Sequence, residues 1–178
     1  AVSVLSLYWF LTSGKSKGKA FLDKSRQKVP LKEKIQLSHD TFLYRFGLPA
    51  KNDYIGLPIG KHFKVFGKCP TPSVTGQWNG QSDAETSASE IERKYTPTSS
   101  DDDLGFVDLV IKVYRPGHTY TPKRDRFSDG GKMSQFVDSL KIGDMMEIQG
   151  PFGHIEYTGM GQFEVMKKQI PKVKKIGM

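Results

Sequence analysis

Residues 106–114, FVDLVIKVY, constrain this chain more than any other stretch. Val107, Leu109, Ile111 and Val113 alternate with Phe106, Asp108, Val110, Lys112 and Tyr114. Successive strand side chains point to opposite faces, so the run predicts a strand with one apolar face and one mixed polar and aromatic face. A core suits the first face and a ligand-facing surface suits the second. Shorter alternating runs surround it: Ile35 and Leu37 within 32–38, Phe42, Tyr44, Phe46 and Leu48 within 41–48, and Phe63 and Val65 within 61–66. Residues 144–149, 155–158 and 162–166 read as further strands around the turn Gly150-Pro151-Phe152-Gly153. One helix is expected, over 132–140, with Met133, Phe136, Val137 and Leu140 on one side, Gly130-Gly131 before it and Gly143 after it. Short antiparallel strands, one helix and 18 glycines predict a closed β-barrel rather than a parallel sheet. A chain of 178 residues suffices for one such domain and is short for two.

Charge narrows the function classes. The chain carries a net +8, but residues 15–34 hold eight Lys/Arg against Asp23 and Glu33, which accounts for +6 of it. The basicity is a local stripe, with a second cluster at Lys167, Lys168, Lys172, Lys174 and Lys175. Nucleic-acid binding would want aromatic platforms interleaved with that stripe, and only Phe21 is there. The lone Cys69 excludes an internal disulfide framework and any multi-Cys zinc site. The histidines at 39, 62, 118 and 154 lack metal-ligand spacing, so no metal site is expected.

Residues 1–12, AVSVLSLYWFLT, are uncharged. A spanning helix needs roughly 20 apolar residues, so this run is too short to cross a membrane alone. Apolar residues, then Tyr8 and Trp9, then lysines have the order expected at a membrane interface, with the positive charge on the cytosolic side. The expectation is an anchor remnant; the alternative is a buried first strand followed by a solvated basic linker. Residues 69–92, rich in Pro, Ser, Thr, Gly, Asn and acids, read as an exposed, mobile insertion.

Two short motifs carry chemistry. Arg93-Lys94-Tyr95-Thr96-Pro97-Thr98-Ser99 offers a phosphate-pairing cation, an aromatic face and hydroxyl donors at one strand end. Gly130-Gly131-Lys132-Met133-Ser134 places glycines at a helix start, where free N–H groups and the positive dipole end favour an anionic diphosphate. The Walker order of glycines, lysine and hydroxyl is absent, so this is not a nucleotide P-loop.

In this order the motifs resemble the flavin-binding half of the NADH–cytochrome b5 reductase family, within the ferredoxin reductase-like superfamily. The resemblance runs from Val29 onward through Ser38-His39-Asp40-Thr41, Gly60-Lys61-His62, the Arg93 motif, the 106–114 strand, the Gly130 motif, Ile142-Gly143-Asp144 and residues 150–157. Residues 150–161 are equally similar to the flavin portion of assimilatory nitrate reductases. The resemblance implies an all-β, closed antiparallel Greek-key barrel holding FAD, with one short helix at the diphosphate. It implies that Arg93 pairs with the diphosphate, that Tyr95 lies along the ring or ribityl portion, and that Thr96 hydrogen-bonds near flavin N5 as the catalytic contact. Val110 and Lys112 would line the flavin pocket, and Gly131, Lys132, Met133 and Ser134 would close over the diphosphate. Lys94 and Ser99 belong to the same implied cofactor set. So does Arg115, which sits where relatives place an aromatic residue, a role that Tyr120 or Phe127 would otherwise fill.

The implied organisation is 1–28 anchor remnant and basic linker, 29–170 FAD barrel with the insertion 69–92, and 171–178 the link to an NADH-binding domain. The glycine-rich segments that bind nicotinamide in the family are not in this chain, which is expected to be inactive alone. The resemblance implies NADH as co-substrate, cytochrome b5 or a similar acidic haem protein as acceptor, and the cytosolic face of the endoplasmic reticulum or mitochondrial outer membrane as location. A nitrate reductase flavin domain is the enzymatic alternative; the non-enzymatic one is a basic barrel binding acidic lipid or nucleic acid.

Overall fold

The computed structural model describes residues 17–117 and 128–175. The expected anchor at 1–12, His118, the candidate stacking residues Tyr120 and Phe127, and the last three residues lie outside them.

The strands are β1 (Arg26–Gln36), β2 (Thr41–Gly47), β3 (His62–Gly67), β4 (Gln77–Trp78), β5 (Gln81–Ser82), β6 (Ile91–Tyr95), β7 (Phe106–Lys112), β8 (Met145–Phe152), β9 (Ile155–Gly159), β10 (Gln162–Val165) and β11 (Lys168–Gln169). The α-helix, α1, spans Lys132–Ser139, and a 3-10 turn spans Ala84–Ser87. Six strands form one antiparallel sheet in the order β6-β3-β8-β1-β2-β7. The sheet curls into a half-barrel rather than closing by a continuous ladder. Its end strands, β6 and β7, are tied at one point instead. Thr98 donates its N–H to the Asp108 carbonyl at 2.9 Å, and the Asp108 N–H donates to Ser99 Oγ at 2.9 Å.

β1 shows how a basic run becomes structural. Residues 26–30 pair with β8, and Leu31 to Gln36 pair with β2. The changeover falls at Pro30, which has no N–H to give a ladder. Val29 and Leu31 are buried while the lysines face out; the strand begins inside the expected linker, at Arg26, and Ile35 of the expected apolar face is exposed. Phe21 and Leu22 are buried too, and Ala20 bridges Tyr54, so packing against the sheet begins ahead of β1.

The alternations expected of β2, β3 and β7 put Tyr44, Phe46, Phe63, Val65, Val107, Leu109 and Ile111 in one core with Met146 and Ile148 of β8. Met133 and Val137 of α1 join it, as the helix face anticipates. A Cβ on Gly67 would overlap the Phe136 ring, so glycine at the end of β3 is what lets α1 lie this close. On the other face of β7, Val110 is 41% exposed, whereas Asp108 is buried because Arg45 pairs with both its carboxylate oxygens at 2.9 and 2.8 Å.

Candidate functional site

The two motifs, 38 residues apart in sequence, meet in space. A cleft of about 430 Å³ is lined by Arg93, Lys94 and Tyr95 from β6, by Val110 and Lys112 from β7, and by Gly131, Lys132, Met133 and Ser134 from the start of α1. The fold explains the meeting: β6 and β7 are the two edges of the curled sheet, and α1 caps the gap between them. Thr96 and Ser99 line a second cleft of about 360 Å³ instead, with Leu57, Ile59, Pro97 and Asp101 among its walls. Ser99 Oγ already accepts the Asp108 N–H there.

The helix start is shaped for an anion. The N–H groups of Lys132, Met133 and Ser134 open the helix, so none has a carbonyl four residues back within it. No side chain caps them, because the N-cap residue is Gly131. Gly130 stands at φ +76°, and a Cβ there would overlap the Tyr114 carbonyl, so only glycine brings the chain into the helix along this path. The Gly131 N–H donates to the Tyr114 carbonyl at 2.8 Å, which fastens the end of β7's connection to the helix start. Ser134 Oγ accepts from the Tyr114 N–H at 3.3 Å and donates to the Gly131 carbonyl at 3.1 Å.

Four charged groups differ from the simple sequence picture. The Lys132 side chain is 5% exposed and turns into the insertion, where its Nζ meets Asp83 at 2.5 Å and Glu85 at 2.7 Å. Arg93 donates through Nη1 and Nη2 to the two oxygens of Glu85, at 2.8 and 2.6 Å. These hydrogen bonds, from Arg93 first and then Lys132, hold the Glu85 carboxyl down at about 2. Lys112 Nζ lies 3.1 Å from the buried Asp40 carboxylate. Arg115 is not among the residues lining the cleft. It pairs with Asp138 at 2.9 Å and lies over the Phe42 ring at 5.5 Å. Asp138 also receives the Tyr44 hydroxyl at 2.9 Å and Lys34 at 2.7 Å. Burial works against that carboxylate's charge, but the bonds from Lys34 and Tyr44 keep it below the usual carboxylate range. Burial pushes the Tyr95 phenol up, so its ring carries no charge in the cleft.

The insertion is mostly exposed, as expected, yet it is built onto the site. Its Trp78 is buried and donates Nε1–H to the Gly130 carbonyl at 2.9 Å. Asn79 Oδ1 accepts from the N–H groups of Asp129 and Gly130 at 2.8 and 3.1 Å, and its own N–H donates to Asp129. Ser73 donates to the same carboxylate. Asp129, Trp78, Asn79, Asp83, Glu85 and Asp138 are site residues that the motif reading passes over. A tryptophan inside an otherwise polar run, and two acids shortly before the Arg93 motif, were the available signals.

Comparison with known proteins places the chain. The family model described as the oxidoreductase FAD-binding domain matches residues 28–157. NADH-cytochrome b5 reductase 1 of Rattus norvegicus is 42% identical over 153 residues, which is 83% of this chain and 43% of that protein. Nitrate reductase [NADH] 2 of Phaseolus vulgaris is 43% identical over 145 residues, or 80% of this chain and 14% of that protein. The crystal structure of the cytochrome b5 reductase domain of Ulva prolifera nitrate reductase superposes with a TM-score of 0.69 at 36% identity, covering 87% of this chain and 50% of that one. The chain thus spans less than half the length of the rat relative and about one seventh of the bean one. A curled antiparallel sheet, an uncapped helix start facing its edge strands, and a family model that fits both together make this chain a member of the oxidoreductase FAD-binding domain family.

Proposed function

We propose that this chain is the FAD-carrying part of an NADH-dependent cytochrome b5 reductase. The observation that carries the reading is the cleft joining the Arg93-Lys94-Tyr95 strand end to the open N-terminus of α1. FAD fits the residues present: N–H donors at Lys132, Met133 and Ser134 for the diphosphate, a glycine path that a Cβ would block, and the Tyr95 face. Arg93 supplies a guanidinium fork for phosphate oxygens. Lys94 adds positive charge to the cleft, and Val110 and Lys112 form its β7 wall. Thr96 and Ser99 lie past the Tyr95 end in the neighbouring cleft, where Thr96 would meet the flavin ring, and Arg115, paired with Asp138, would border the adenine side.

When bound, FAD supplies the conversion between a two-electron hydride and single electrons. The protein's own residues bind the anionic end, orient the ring against Tyr95 and exclude water with the apolar lining of β7. NADH as hydride donor and an acidic haem protein as acceptor are carried by the similarity to the rat and bean proteins. In this reading the tie between Thr98 and Asp108 closes the Greek-key barrel at the cofactor end. Residues 1–12 anchor the protein at the cytosolic face of the endoplasmic reticulum or outer mitochondrial membrane, with the lysines after them at the lipid surface.

A second reading, the flavin module of a nitrate reductase, is favoured by the comparable identity to the bean enzyme and by the Ulva structure. The residue-level chemistry is the same in both. The test of the leading reading is to load the chain with FAD, reduce it with dithionite, remove the excess, and mix it with oxidised cytochrome b5. Haem reduction that slows as salt rises is expected; no haem reduction contradicts the proposal. For the location, fusing residues 1–28 to a fluorescent protein should give membrane-bound fluorescence, and a diffuse signal contradicts it.

A further inference from the structure

Two acids of the insertion, Asp83 and Glu85, occupy two cations of the cofactor cleft, Lys132 and Arg93. Asp83 accepts the Glu85 N–H at 2.8 Å, starting the 3-10 turn that presents both carboxylates together. The resulting cluster has two unlike halves. On the inside, Asp83 meets Lys132, whose side chain is 5% exposed. On the outside, Glu85 meets Arg93, with side chains 40% and 41% exposed, and Glu85 Oε2 also takes a second bond from Lys132 Nζ at 2.7 Å. Two cations face two carboxylates, so the cluster is neutral as it stands. A flavin diphosphate gains little Coulomb attraction from a neutral cluster. It also meets the Nη1–Nη2 edge of Arg93, the edge suited to two phosphate oxygens, already filled by the two oxygens of Glu85.

We propose that Glu85 is a tethered counter-ion that holds Arg93 until the FAD diphosphate takes its place, while Asp83 stays on Lys132 as the pivot. The proposal rests on the FAD reading of the cleft. The asymmetry of the cluster makes the exchange feasible. An exposed ion pair is worth little and opens readily. A nearly buried lysine stripped of both carboxylates is strongly disfavoured, and Lys132 keeps Asp83 when it gives up Glu85. The body of the insertion has no need to move, because Trp78 and Asn79 remain bonded to Gly130 and Asp129. Only the short turn carrying Glu85 swings. The insertion therefore lowers FAD affinity and eases cofactor exchange, although its tryptophan and asparagine help to shape the site.

The test compares the wild-type chain with Glu85→Gln and Glu85→Ala, each first shown to melt cooperatively, in titrations with FAD and with riboflavin, which has no phosphate. Both variants should bind FAD about 3- to 5-fold more tightly and riboflavin unchanged. In the wild type, FAD but not riboflavin should speed hydrogen exchange of the Ala88 amide, which donates to the Glu85 carbonyl at 3.0 Å. Weaker FAD binding by the variants would overturn the proposal and make Glu85 a residue that positions Arg93. Unchanged FAD binding, or a turn that FAD protects, would overturn it as well. No saturable FAD binding by the wild type would instead remove the reading of the cleft on which the proposal rests.

Discussion

Replacing Arg93 by alanine removes a guanidinium whose fork is the cleft's best match for phosphate oxygens. A charge-assisted hydrogen bond is worth roughly 1.5–3 kcal/mol, so Arg93→Ala should weaken FAD about 10- to 100-fold. Riboflavin should be nearly unaffected, and an equal loss for both ligands would show that Arg93 does not serve the diphosphate. Tyr44 makes a separate residue-scale prediction. Its hydroxyl is buried and donates to Asp138, and burial together with that bond raises the phenol well above its usual range. Tyr44→Phe should cost about 1–2 kcal/mol in urea denaturation, since Lys34 and Arg115 still satisfy the carboxylate. Glu85 supplies the pH dependence. Its carboxyl titrates at about 2 in the fold against 4.5 normally, so its stabilising contribution is complete above about pH 5 and fades as pH falls through 2. Thermal melts should show Glu85→Gln losing less stability than the wild type between those values.

At the scale of elements, the helix start and the insertion are one unit. Gly130→Ala would force a side chain onto φ +76° and against the Tyr114 carbonyl. A loss of about 2 kcal/mol or more, read from the urea midpoint, is expected, together with weaker FAD binding. Trp78→Ala should loosen the Gly130 carbonyl, remove the ring beneath Lys132 Nζ and lower FAD affinity, although Trp78 itself does not line the cleft. Most regular elements were legible in the sequence because their signals are local. The alternation of Val107, Leu109 and Ile111 names a buried face whatever its neighbours, and Met133 and Val137 mark the helix side that meets the core. The insertion was not legible as part of the site. Its polar composition carries no period; Trp78 and Asp83 acquire their roles from partners about fifty residues further on, and Glu85 from Lys132 at that distance together with Arg93 nearby. β1 was legible only in part: the alternation of Ile35 and Leu37 marks a strand, but both are exposed, and the buried side belongs to Val29 and Leu31 nearer its start.

For the molecule as a whole, the cleft depends on the curl of the sheet. β6 and β7 are neighbours in the chain but stand at opposite edges of the ladder, and the curl is what returns them to each other with α1 over the seam. That arrangement follows from strand order, which the composition of single strands does not encode; the meeting of the Arg93 and Gly130 motifs was expected from the family resemblance and not from the pattern of either motif alone. The central claim is that this juxtaposition is a flavin diphosphate site, and the most direct measurement is a paired titration of the chain with FAD and riboflavin, followed by flavin fluorescence and absorbance. The account predicts saturable, one-to-one binding of FAD with riboflavin at least about 10-fold weaker, since the N–H groups of α1 and Arg93 act only on phosphate. Equal affinity for the two ligands, or no saturable binding of FAD by the folded chain, would contradict it.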